Sequence, residues 1–109
     1  MFEYTHDNNH EFEQLLQSGY VLLEFYANWC GTCRSVTRML KHLETLDFVP
    51  IIRIDIEKNK PIVQKYLIVG VPVIMLIYQG KEISRISGSV NFDEFKEWIH
   101  QIDYFKELS

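Results

Sequence analysis

A chain of 109 residues with 47% hydrophobic and 14% aromatic content holds enough apolar surface for one packed core, not two, which excludes disorder. Its formal net charge of −4 is too mild to point to nucleic acid or an anionic membrane as a partner. Two cysteines lie two residues apart, and in a reducing compartment so close a pair is catalytic or metal-binding more often than a static staple. Met1 to Asp7 shows neither a basic segment nor an apolar h-region, so no signal peptide is visible. The longest apolar stretch, Tyr66 to Tyr78, is broken by Gly70 and Pro72 and is too short to span a bilayer. A cytoplasmic setting is the expectation.

In chain order, Phe2 to Thr5 predicts a short edge strand. Asn8 or Asn9 offers an N-cap for a helix with Phe12, Leu15 and Leu16 on one face, stopped by Ser18-Gly19. Tyr20 to Tyr26 is apolar throughout except for Glu24, which suits a central strand covered on both faces. A helix follows from about Gly31–Cys33 to about Leu46, with Val36, Met39, Leu40, Leu43 and Leu46 as its buried stripe and Arg34, Arg38 and Lys41 on another face. Pro50 opens a strand, Ile51 to Ile56, in which isoleucine alternates with Arg53 and Asp55. Asn59 caps a short helix with Pro61 in its first turn and Ile62, Val63 and Tyr66 on its apolar side. Val71-Pro72 leads into the strand Val73 to Tyr78, and Gln79-Gly80 turns it into an antiparallel partner, Lys81 to Ser87, ended by Gly88. Asn91 and Glu94 start a last helix carrying Phe92, Phe95, Ile99 and Ile102. Alternating strands and helices predict an α/β fold with a mainly parallel sheet and an antiparallel edge added by the hairpin.

The stretch Glu24-Phe25-Tyr26-Ala27-Asn28-Trp29-Cys30-Gly31-Thr32-Cys33 sits at a strand-to-helix junction. At a helix start Cys30 faces unpaired N–H groups and the positive end of the dipole, which favour its thiolate and make it the candidate nucleophile. Cys33, one turn into the helix, is the candidate resolving thiol. The other readings are a structural disulfide and half of a zinc site, but of His6, His10, His42 and His100 no pair has finger-like spacing from the cysteines. Glu24 lies six residues before Cys30 in an apolar strand, where a carboxylate must be protonated, paired or hydrated. Either it serves as an acid/base group or the strand's faces are misassigned and it meets solvent.

At Trp29-Cys30-Gly31-Thr32-Cys33 the sequence resembles the thioredoxin family, whose signature is Trp-Cys-Gly-Pro-Cys, and the likeness runs over nearly the whole chain in the same element order. It implies a three-layer sandwich, a central mixed β-sheet of about five strands flanked by four helices, as a single thioredoxin-like domain over residues 1–109. By this resemblance Glu24 takes the place of the buried aspartate that assists proton transfer at the second cysteine, and Arg53 that of a lysine near it. From the residues alone, Arg53 is equally an exposed strand-face arginine. Val71-Pro72 matches the family's cis-proline segment facing the dithiol, with Val71 backbone groups pairing an extended substrate and Trp29 and the Gly88-Ser89 turn completing the contact surface. Trp29 equally suits simple packing. Gly31 and Thr32 shape the turn between the cysteines, and Thr32 departs from the family's usual proline. Tyr26 stands where many members have a second tryptophan, and Arg38 where they have a helix-kinking proline.

The function expected is that of a protein disulfide oxidoreductase. Cys30 attacks a target disulfide, and Cys33 resolves the mixed disulfide. No metal or organic cofactor is implied, the redox-active disulfide Cys30–Cys33 being part of the chain. Expected partners are disulfide-containing proteins and a thioredoxin-reductase-like recycling enzyme, with no nucleic acid, no membrane and a monomeric state. Two alternatives of other classes stand beside it. In one the fold is a binding module that docks a partner by strand addition beside Val71. In the other, cysteines from two chains carry a metal or cluster.

Overall fold

The computed structural model describes residues 1–106. Five strands, β1 (Phe2–Glu3), β2 (Tyr20–Tyr26), β3 (Ile51–Asp55), β4 (Val73–Tyr78) and β5 (Lys81–Ser87), form one sheet in the order β1-β3-β2-β4-β5. Four helices cover it: α1 (Asn9–Leu16), α2 (Gly31–Thr45), α3 (Lys60–Lys65) and α4 (Phe92–Ile99). The apolar run of β2 takes the central position. Its pleat sends Val21, Leu23 and Phe25 into one core with Phe12 and Leu16 of α1 and Ile62 of α3. Leu22 goes to the opposite core with Val36 and Leu40 of α2 and Phe95 and Ile99 of α4. By the same alternation Glu24 lies on the α2 side. Each large side chain so buried contributes roughly 1.5–3 kcal/mol.

The sheet is mixed, and the direction reverses one element earlier than the hairpin. β1 and β2 run parallel to β3, whereas β4 is already antiparallel to β2, with Phe25 opposite Val73. α3 is a helix of only six residues, rising about 9 Å. The chain leaves β3 and enters β4 at the same end of the sheet, the end at which β2 runs into α2. Loop 66–72 is thereby delivered to the cysteines.

Four local expectations change. Leu46 is the C-cap of α2 and is exposed, so the buried stripe ends at Leu43. Phe92 opens α4 facing outward, and Trp98 takes the inward place beside Phe95 and Ile99. Asn59 is buried but does not cap α3; its amide donates to the Asp55 carbonyl at 2.8 Å, closing the turn after β3. Asn8 precedes α1 without capping it, because its side chain turns back to Thr5 N–H at 2.9 Å and fixes a 3-10 turn over His6–Asn8. Asn91 and Glu94 form the reciprocal cap of α4.

Candidate functional site

Cys30 is the N-cap of α2, and its sulfur accepts a hydrogen bond from the Cys33 N–H at 3.2 Å. The Thr32 hydroxyl lies 3.4 Å from the same sulfur. Cys30 and Cys33 are joined as a disulfide, with their Cα atoms 5.3 Å apart. Both residues are buried, so what separates the two sulfurs is position: Cys30 sits at the unpaired end of the helix and Cys33 inside its first turn. Gly31 is exposed, and a Cβ added there would meet nothing within 4 Å. Trp29 stands 66% exposed next to the disulfide.

Glu24 is 0% exposed and stands in register with Arg53 on the neighbouring parallel strand. Arg53 Nε donates to Glu24 Oε1 at 3.1 Å, and the Thr37 hydroxyl is hydrogen-bonded to Glu24 Oε2. The same hydroxyl reaches the Cys33 carbonyl at 2.9 Å, so one O–H group joins the buried acid to the helix turn that carries the second cysteine. Arg53 also reaches Glu3 Oε1 at 3.4 Å and lies 3.9 Å over the Tyr26 ring, whose hydroxyl donates to Glu3 Oε2 at 2.6 Å. Burial pushes the Glu24 carboxyl above the usual glutamate range, and the Thr37 hydrogen bond and the Arg53 charge only partly offset it. Burial, followed by donation to Glu3, pushes the Tyr26 hydroxyl well above the ordinary tyrosine value.

On another side of the disulfide, Val71 packs against the cluster of Tyr26, Ala27, Cys30 and Cys33. The Val71–Pro72 peptide bond is cis. No backbone hydrogen bond to or from Val71 is present among the described residues. Gly88 turns the chain with φ +90°, a value that favours glycine, and its N–H donates to the Pro72 carbonyl at 2.9 Å. These residues line a groove of about 200 Å³ that Leu67, Val69 and Gly70 extend, with Leu67 and Val69 largely exposed. A second cleft, of about 380 Å³, is lined by Asn28, Cys33, Thr37 and four cations, Arg34, Arg38, Lys41 and Arg53.

Thr37 and Glu3 belong to this network and do not stand out in the sequence. Thr37 follows Cys33 by one helical turn, a spacing that signals a shared face. Glu3 joins through β1, whose register beside β3 no local pattern encodes. Asp55 is also buried, its Oδ1 accepting from the Glu57 N–H at 2.9 Å. Among the described residues no group of three or more His, Cys, Asp and Glu side chains is placed to hold a metal, and no helix is long and apolar enough to cross a membrane.

The family model described as Thioredoxin matches residues 3–101. A thioredoxin of Chlamydia pneumoniae is 34% identical over 82 residues, which is 74% of this chain and 80% of that protein. A chloroplastic thioredoxin Y2 of Arabidopsis thaliana is 36% identical over 92 residues, 81% of this chain and 55% of that one. Among solved structures, a mutant thioredoxin from Halobacterium salinarum superposes with a TM-score of 0.82 at 24% identity, covering 99% of this chain and 92% of the other. Fasciola hepatica thioredoxin gives 0.78 at 25% identity, covering 93% and 98%.

Proposed function

This chain belongs to the thioredoxin family and is a thiol–disulfide oxidoreductase whose redox-active disulfide is part of the protein; from that premise we propose how its residues divide the work. Cys30 is the attacking thiol. Its thiolate bonds to one sulfur of a target disulfide, the target S–S bond breaks, and the second target sulfur leaves as a thiolate. Cys33 then loses its proton and bonds to Cys30 Sγ, which breaks the mixed disulfide and frees the reduced target. The chain is left oxidised, in the bonded form described above.

Glu24 takes up the Cys33 proton through water in the cleft that Cys33 and Thr37 line. A carboxyl raised by burial is suited to that work, since it holds a proton at a pH where an exposed glutamate would not. Arg53 keeps the acid oriented, and Gly31 and Thr32 set the environment of the attacking sulfur. Trp29, Val71, Pro72 and Gly88 form the contact surface for an extended target segment, with the free Val71 backbone as its pairing edge. A thioredoxin-reductase-like enzyme returns two electrons to the disulfide. The protein works as a cytoplasmic monomer, in a single domain.

The observation that carries this reading is the pairing of Cys30 at the helix N-cap, hydrogen-bonded from Cys33 N–H, with a buried acid tied by Thr37 to the turn holding Cys33. Cys33→Ser tests it with a disulfide-bonded protein substrate. The variant is expected to accumulate a mixed disulfide through Cys30, while Cys30→Ser forms none and shows no turnover. Trapping through Cys33 instead, or turnover without Cys30, overturns the assignment. A Cys30→Ser variant that kept full cellular function would favour the binding-module reading.

A further inference from the structure

The cleft beside Cys33 has a one-sided charge. Arg34, Arg38 and Lys41, spaced four and three residues apart, share one exposed face of α2, and Arg53 completes the lining. No aspartate or glutamate lines it. Arg53 is held by Glu24 and Glu3, but Arg34, Arg38 and Lys41 make no ion pair among the described residues. Among the described residues the Arg38 guanidinium has only the Ser35 hydroxyl, at 3.3 Å. Lys58, Lys60, Lys65, Lys81 and Lys96 likewise make no ion pair among the described residues, but none of them lines this cleft, so clustering beside Cys33 is what sets the three apart. In a chain of net charge −4, three uncompensated cations are gathered at one place, and that place borders a reacting sulfur. The cleft shares no residue with the groove at Val71-Pro72, yet both border the disulfide: Cys33 lines the first, and Val71 of the second packs against the cysteines.

We propose that this cleft docks acidic side chains of the protein substrate, in the segment flanking the disulfide being reduced. The proposal rests on the dithiol reading above and adds a substrate class to it. A cleft of about 380 Å³ has room for carboxylate side chains, and three cations beside a cysteine suit a short acidic segment better than a polyanion such as nucleic acid. Exposed ion pairs are individually weak, but three acting together with steering of the encounter are expected to favour an acidic substrate by about tenfold at low salt.

The test uses three disulfides with the whole protein: two cystine peptides of equal length, one with aspartates and one with lysines around the bridge, and uncharged 2-hydroxyethyl disulfide. Rates are normalised to those with free dithiothreitol, which removes the peptides' own difference in reactivity. The expected result is about tenfold higher kcat/KM for the acidic peptide, vanishing in about 1 M salt, where the Debye length is about 3 Å. In the Arg38→Glu/Lys41→Glu variant the ratio of the two peptide rates is expected to fall to one or invert. Equal normalised rates in wild type, or a preference that survives both salt and the double substitution, overturns the docking proposal. Failure on 2-hydroxyethyl disulfide as well overturns the dithiol reading on which it stands.

Discussion

Replacing Thr37 by valine keeps the β-branched shape and deletes one hydroxyl, with consequences that depend on pH. The hydroxyl has a single hydrogen and two acceptors, Glu24 Oε2 and the Cys33 carbonyl. That carbonyl lies inside α2 and retains a helical amide donor, whereas Oε2 has no other described partner. When Glu24 is ionised, the variant loses a hydrogen bond to a buried charge, worth about 1.5–3 kcal/mol. Thr37 is half-buried beside the cleft, so water recovers part of this and about 2 kcal/mol is expected. When Glu24 is protonated only a neutral hydrogen bond is lost, about 1 kcal/mol. Because the Thr37 bond lowers the Glu24 pKa, its removal raises the folded value further while the unfolded value stays put. The deficit is therefore constant at low pH, grows as pH passes the wild-type folded pKa, and levels off above that of the variant. Urea denaturation of wild type, Thr37→Val and Thr37→Ser across pH reads this directly, and serine is expected to restore most of the loss. A deficit that is flat with pH, or a serine variant no better than valine, would refute the coupling between Thr37 and Glu24.

Glu24→Gln mimics the protonated acid: its amide oxygen can accept from Arg53 and its NH₂ can donate to Thr37. Since burial raises the folded pKa of Glu24, its contribution to stability is complete below the unfolded value and is lost as pH rises through the folded one. The glutamine variant is thus expected to match wild type in acid and to exceed it at neutral pH, every tenfold difference in proton affinity between the two states being worth about 1.4 kcal/mol. The same variant should slow release of the target from the mixed disulfide and spare the first attack, which stopped-flow reduction separates; unchanged release and stability would remove Glu24 from the mechanism. In the reduced protein Cys30 is expected to react with iodoacetamide faster than Cys33, because it alone sits at the helix N-cap, and peptide mapping after partial labelling shows whether the order is reversed. Thr32→Pro removes the hydroxyl beside Cys30 Sγ and with it a donor that favours the thiolate, so the variant should be the stronger reductant by about 30 mV, equivalent to about 1.4 kcal/mol. Equilibration with glutathione measures both potentials, and equal values would relieve Thr32 of a tuning role.

What sequence alone conveys about this fold depends on whether a feature is encoded along the chain or across it. The run through Tyr20 to Tyr26, apolar but for Glu24, announces a strand buried on both faces, and the Asn91/Glu94 pair announces a helix start, because both signals lie within a few residues. The antiparallel entry of β4 does not announce itself, since a connection of this length suits either strand direction and the pairing partner lies far along the chain. Leu46 fits the apolar stripe of α2 by spacing, yet it lies where the helix ends and the core no longer faces it. The cysteine pair and Glu24 are legible as an unusual residue spacing. The partners of Glu24 are less so: Arg53 comes from a neighbouring strand, Glu3 from the sheet edge, and Thr37 offers only an i+4 relation to Cys33.

The excursion between β3 and β4 starts and finishes at one end of the sheet, so its length is not tied to the register of any strand pair. Within it Ile68 is held in the core and Val71 against the cysteines, whereas Leu67 and Val69 are exposed and can be replaced without moving Glu24, Arg53 or the helix that carries the cysteines. The chemistry is anchored in the β2–α2 junction and the sheet, while Leu67 and Val69 stand exposed on a connection beside it. A scaffold arranged in this way permits its choice of target to drift while its electron-transfer step stays fixed. Exchanging the exposed positions 67 and 69 between members of the fold is accordingly a route to new specificity that leaves the contacts of the dithiol in place.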